Sequence, residues 1–247
     1  MAKTPTAVVW TISGYVVVLL TVPDRVLSPQ LQEFDYTSKF WQKVGISPSG
    51  PSARYGAVGG IDVRTTNPGV SLNNSFYMAG GYDGKTLSPL SEMWRLDVSG
   101  TLSSNNPNQV NASWTRVNVN SNIPGRVSVG GTVIGKAVVA VGGCPSATST
   151  QSIKDSSCAV QDTQVIDAST GGVMTISPCL APRIDPAVVP NMAGASSSFN
   201  QQAFVLLGTF NSTLWDDGNG LVRGEVVRLL TRQQRCDCAN RNLLGRS

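Results

Sequence analysis

One four-strand sentence recurs along this chain, and no other feature restricts its fold so strongly. Its clearest copy opens with Pro51-Ser52-Ala53-Arg54-Tyr55-Gly56-Ala57-Val58, a turn-forming proline followed by an arginine and a small apolar strand. A variable loop leads to Phe76-Tyr77-Met78-Ala79, which runs into Gly80-Gly81. After a turn at Asp83-Gly84 comes Glu92-Met93-Trp94-Arg95-Leu96-Asp97, whose alternation suits a half-buried strand, and Trp114 begins a closing strand. The order returns as Pro124-Gly125-Arg126, Val138 to Gly143, and Thr163 to Asp167, with Val173 to Ile176 where the tryptophan strand should stand. It returns again as Ala181-Pro182-Arg183, Ala203 to Thr209, and Gly224 to Val227, with one glycine of the pair lost. A first, partial copy supplies Tyr15 to Leu20, Leu31 to Asp35, and Phe40 to Val44.

Repetition with a long period, built from strands alone, points to an array of sheets rather than to a helical fold. Composition agrees. Charged residues are only 14%, while Gly, Pro, Ser, Thr and Asn are plentiful, which suits short strands joined by many turns.

The ordered set of arginine, diglycine, aspartate and tryptophan resembles the Kelch repeat of the galactose oxidase and Kelch-like superfamily. The resemblance implies an all-β, Kelch-type β-propeller with about three to four blades, an incomplete ring. The expected units are a partial blade over 7–50 and blades over 51–120, 121–180 and 181–227, with a basic, non-propeller tail over 228–247. The spacing from Arg54 to Arg126, and on to Arg183, exceeds the family's usual period of about 50 residues. The excess is assigned to loops at Arg64 to Asn74, Ser99 to Asn111 and Pro145 to Ser157. A propeller commonly holds four to eight blades. The expectation is therefore a truncated member of a longer family, or two chains completing one ring, with open blade edges prone to self-association.

In the family such arginines bond neighbouring backbone or line the mouth of the central channel. Arg54, Arg126 and Arg183 are thus the candidate ligand contacts, with a structural role as the alternative. The loops around Asn74-Ser75-Phe76-Tyr77 and Asn211 to Asp217 look most like uncharacterised secreted or membrane-anchored Kelch proteins of fungi. That resemblance implies a non-catalytic scaffold that holds a protein or glycan partner.

Histidine is absent from the chain, which removes Ser-His-Asp and Cys-His catalysis and nearly all zinc and non-haem iron chemistry. Fungal galactose oxidases, which use histidines around a copper radical site, therefore differ from this chain where it matters. An oxidase-like, carbohydrate-active relative whose metal site is lost or lies elsewhere is the second functional expectation. No cofactor and no catalytic residue are expected. Asp216-Asp217 before Gly218 read as a turn rather than a calcium loop.

The net charge of +4 sits in one place. The segment from Arg228 carries Arg228, Arg232, Arg235, Arg241 and Arg246 against Asp237, a surplus equal to the whole net charge. The remainder is neutral and lacks the basic face that nucleic acid requires, so no nucleic-acid partner is expected. Arg228 to Arg235 reads as arginine-rich and helix-prone, unlike the rest.

Cys144 and Cys158 bracket a polar, insertion-like loop and are the candidate disulfide; unpaired thiols are the alternative. Asn73, Asn111 and Asn211 begin N-x-S/T sequons in loop-like contexts and are candidate glycosylation sites. These features favour an extracellular or cell-surface location over a cytoplasmic one, with any membrane link through an anchor outside this chain. Ala7 to Val22 is almost continuously apolar. A hairpin turning at Ser13-Gly14 is the preferred reading, and a targeting segment the alternative.

Overall fold

The computed structural model describes residues 6–12, 15–21, 32–35, 41–52, 54–62, 75–83, 86, 88–99, 111–145, 158–176, 182–192, 202–206, 208–210, 227–230 and 235–238. These residues form an all-β protein of several antiparallel sheets, with no α-helix among them.

Four antiparallel meanders of four strands follow one another along the chain. The first contains β1 (Thr6–Ile12), β2 (Tyr15–Thr21), β3 (Gln32–Asp35) and β4 (Trp41–Lys43), paired in that order. β1 and β2 pair from Thr6↔Thr21 to Ile12↔Tyr15, so the apolar N-terminal run is a hairpin. Its β-branched residues favour the extended backbone, and two residues between the strands suffice for a tight hairpin.

A short β5 (Gly45–Ile46) then leads to β6 (Arg54–Tyr55) and to the second meander: β7 (Val58–Gly60), β8 (Ser75–Ala79), β10 (Met93–Ser99) and β11 (Asn111–Val117). Between its middle strands lies β9 (Tyr82–Asp83), which pairs with β6. β5 lies parallel to the start of β11 and extends this sheet to five strands.

The third meander is β12 (Gly130–Ile134), β13 (Ala137–Val141), β14 (Thr163–Asp167) and β15 (Val173–Ile176). The fourth is β17 (Ala187–Pro190), β18 (Gln202–Leu206), β20 (Val227–Leu230) and β21 (Arg235–Cys238). Beside it β16 (Arg183–Ile184) pairs with β19 (Thr209–Phe210), as β6 pairs with β9.

The last two strands correct the expectation for the C-terminal segment. Residues 228–230 continue β20, and residues 235–238 form β21, paired from Val227↔Cys238 to Leu230↔Arg235. Residues 228–230 and 235–238 of the basic segment thus belong to strands of the fourth sheet and not to a helix outside it. Val227-Arg228-Leu229-Leu230 is as compatible with a strand as with a helix, and an open ladder of backbone groups on β18 decides between them.

Alternation along the strands gives each central sheet two apolar faces, and the sheets stack through them. Val58, Tyr77, Ala79 and Met93 of the second sheet pack with Val133, Val138, Ala140 and Ile166 of the third. The other face of the third sheet, with Val139, Val141, Val165 and Ile176, packs on Ala203, Val205 and Val188 of the fourth. β12 lies between β7 and β17, so the first strands of three successive sheets adjoin. Their close approach depends on glycine: a Cβ on Gly131 would lie 1.8 Å from Val58 Cγ2.

The far side of the second sheet buries Phe76, Met78, Leu96 and Trp114 beneath Val44 and Ile46. Trp114 stands edge-on to Phe76 and Trp94, with ring centroids 6.2 and 6.5 Å away. Such aromatic contacts add about 0.5–1.5 kcal/mol each beyond the area buried.

Candidate functional site

The three arginines of the repeat are the natural place to look for chemistry. Each begins a short segment whose second following residue is left-handed: Gly56 (φ 67°), Ser128 (φ 56°) and Asp185 (φ 50°). Glycine enters this region freely and aspartate is enriched there, whereas serine adopts it uncommonly. The segments stack on one another. Gly56 lies against the Arg126 carbonyl and Val127, and Asp185 N–H donates to Ser128 O at 2.8 Å.

Arg54 is 5% exposed and donates Nη1–H to Gly80 O at 3.1 Å and Nε–H to Ser52 O at 3.2 Å. Its second amino group donates to Glu92 Oε1. Arg126, 8% exposed, donates Nη1–H to Gly142 O at 3.2 Å and grips Asp162 with both amino groups, at 2.6 and 2.5 Å. Each arginine therefore ties the first glycine of its diglycine to an acid one residue before the third strand of the same sheet. A forked guanidinium suits a carbonyl and a carboxylate held side by side.

Backbone hydrogen bonds repeat the same arrangement. Gly80 N–H donates to Glu92 O (3.0 Å) and Leu90 N–H to Gly81 O (2.8 Å). In the next sheet Gly142 N–H donates to Asp162 O (3.1 Å) and Val160 N–H to Gly143 O (3.0 Å). Both diglycines take the left-handed region, at φ 65° and 90° and at φ 66° and 84°. Gly208, at φ 94°, matches the second member of each pair. The member missing from the fourth unit is therefore the first.

Arg183 is fully buried, and its backbone connects the third and fourth units. Its carbonyl accepts from Gly143 N–H at 2.9 Å, and its N–H donates to Val160 O at 3.3 Å. The guanidinium groups of Arg54 and Arg126 thus bond within their own sheets. For Glu92, burial acts to raise the carboxyl, but the Arg54 hydrogen bond and charge, with Arg116 nearby, outweigh it and hold the group below its ordinary value of 4.5. Burial pushes the Tyr77 hydroxyl up from its ordinary 10.0.

Sequence reasoning singled out the arginines but missed Glu92 and Asp162. A signal existed, because an acid immediately precedes the third strand in both units. The unequal loops before it, Tyr82 to Pro89 and Cys144 to Ala159, hid the correspondence. By sequence count Glu225 precedes the last unit's third strand in a similar way, and it lies outside the described residues. Asp62 is buried and accepts from Gly135 N–H of the third sheet at 2.5 Å.

Cys144 and Cys158 form a disulfide, with Cα atoms 5.2 Å apart. It closes the longer of the two loops, and both cysteines pack with Ala159 and Ile184. Asn111 is exposed, but as the first residue of β11 rather than in a loop. It borders a shallow depression of about 390 Å³ with Gly45, Ile46, Ser47, Ala112 and Ser113. Asn73, Asn211, Asp216 and Asp217 lie outside the described residues. Among the described residues no group of three or more Cys, Asp or Glu side chains is placed to hold a metal ion, and no helix is long and apolar enough to cross a membrane.

No protein-family profile matches the chain, and no curated protein matches it.

Proposed function

We propose that this chain is a Kelch-type propeller assembly acting as a non-catalytic scaffold, which holds a protein or glycan partner through the loops at the ends of its sheets. One observation carries the reading. The contact between arginine, the first glycine and an acid recurs in two successive sheets, with the same guanidinium nitrogen on the glycine carbonyl, beside first strands that adjoin across three sheets. A repeated contact of this kind supports blades built to one plan around a common axis. It also turns the amino groups of Arg54 and Arg126 inward, leaving recognition to residues that vary between units. Variable loops on a rigid repeated frame are the usual place for binding.

The natural test is a panel of oligosaccharides and immobilised cell-surface glycoproteins, read for saturable binding, with copper content and oxidase turnover measured on the same sample. Binding without turnover is the expected outcome. Stoichiometric copper together with sugar oxidation would overturn the scaffold reading in favour of an oxidase relative. Peptide mass mapping at Asn73, Asn111 and Asn211 tests the proposed extracellular location, for which glycan-bearing peptides are expected. Bare asparagines on protein purified from its source would reject it.

A further inference from the structure

Register makes the third and fourth sheets directly comparable. Val141, before its glycine pair, sits opposite Gly130, and Leu206 sits opposite Ala187 in the same way. Val139 and Val141 therefore correspond to Phe204 and Leu206. In the third sheet those positions are 0% and 1% exposed, covered by Val188, Ala203 and Val205 of the fourth. Because strand residues alternate between faces, Ala187, Val189, Phe204 and Leu206 share the opposite face of the fourth sheet.

Among the described residues that face lacks a cover. Ala187 is exposed, Val189 is 43% exposed, and Phe204 and Leu206 are half-buried. Met192, just beyond β17, is 62% exposed. Among the described residues Val189 and Met192 are the exposed large hydrophobic side chains, and both belong to this end of the molecule. Half-exposed apolar side chains on a sheet face whose counterpart in the third sheet is buried suit a contact surface.

The surface that covers this face elsewhere in the molecule is the preceding face of another sheet: the third covers the second, and the fourth covers the third. The first sheet has a sequence suited to the same role. β1 reads Thr-Ala-Val-Val-Trp-Thr-Ile and β2 reads Tyr-Val-Val-Val-Leu-Leu-Thr, apolar at both parities and without a charge. Strands of that composition belong to sheets covered on both faces. Among the described residues no extensive packing joins β1–β4 to any other sheet of the same chain.

We infer that the outer face of the fourth sheet docks on the first sheet of a second copy of this chain, and reciprocally, so that two chains close a ring of eight sheets. The inference rests on the reading of the sheets as propeller blades, and eight lies within the range that propellers adopt. In such a ring the two junctions between copies are identical and related by a twofold axis.

Sedimentation velocity of the full chain at tens of micromolar should show a dimer. The double variant Val189→Lys/Met192→Lys, which sets charge into an apolar contact, should weaken the dimer by about a hundredfold or more while far-UV circular dichroism stays unchanged. If that variant does not fold, the near-isosteric Val189→Thr keeps the test open, with about a tenfold weakening expected. A wild-type monomer, or a dimer indifferent to both variants, would overturn the docking. Negative-stain images separate the two levels of the argument. An eight-sheet ring supports both; a monomeric four-sheet ring rejects the docking and leaves the blades; a dimer without a ring rejects the blades and with them the closure.

Discussion

The second and third sheets hold the same contact by different means. In the second, Arg54 reaches Gly80 O and Glu92 across the short loop from Tyr82 to Pro89. In the third, Arg126 reaches Gly142 O and Asp162 across a loop twice as long, which a disulfide between Cys144 and Cys158 closes. Hydrogen bonding also differs. Arg54 Nε donates to Ser52 O, whereas the buried Arg126 Nε has no partner among the described residues. The bidentate grip on Asp162 thus carries more of the third sheet's contact. A repeat can accept a long insertion when the inserted chain is cross-linked close to its base, because the entropy of the open loop is removed before folding.

The sharpest way to break this comparison is Arg126→Ala, which leaves Asp162 beside a desolvated gap. It should cost about 3–5 kcal/mol of unfolding free energy, read from urea melts. A loss below about 1 kcal/mol would mean that the third sheet does not depend on the pair. Replacing both Cys144 and Cys158 by Ser should cost about 3 kcal/mol by the chain-entropy account for a separation of 14 residues. An unchanged midpoint would show that the loop is held by its packing alone.

The glycines permit a finer test. Gly80 and Gly142 share one conformation, at φ 65° and 66°. Yet a Cβ on Gly80 meets nothing nearer than 3.6 Å, while one on Gly142 would lie 2.3 Å from the Arg183 carbonyl. Gly80→Ala should cost only the left-handed strain of about 1–2 kcal/mol. Gly142→Ala should cost about 2 kcal/mol more, because it separates the third sheet from the fourth. Equal losses would contradict the close approach of Arg183.

The smallest expected effect is a pH dependence. The Glu92 carboxyl is lowered in the folded protein, so its contribution to stability is fully present above the ordinary value of 4.5 and lost as pH falls through the folded value. Glu92→Gln should flatten the acid limb of a stability–pH profile, measured by thermal melts below pH 5. An unchanged limb would assign acid sensitivity to other carboxylates.

Much of this was legible in the residues. Strand composition, turn spacing and the two full diglycines led to four strand groups near the sheets observed, and the N-terminal hairpin followed from Ser13-Gly14 between two apolar runs. The cysteine pair could be picked out by its position around an insertion. What was not legible depended on neighbours distant in sequence. Glu92 and Asp162 are ordinary acids until the chain brings Arg54 and Arg126 to them. Residues 228–230, helix-prone by sequence, and residues 235–238 pair as strands because β18 offers a ladder edge. Tertiary pairing overrides local propensity whenever it satisfies backbone groups that would otherwise be left open.

By itself, then, the sequence determined that the chain is β-rich and repetitive, because strand periodicity and glycine placement are local properties written into each unit. The tertiary structure alone decided which acid each arginine holds, which sheet the basic segment joins, and which apolar face is left uncovered. Those outcomes depend on contacts between sheets, where packing and desolvation act between residues that no local pattern connects.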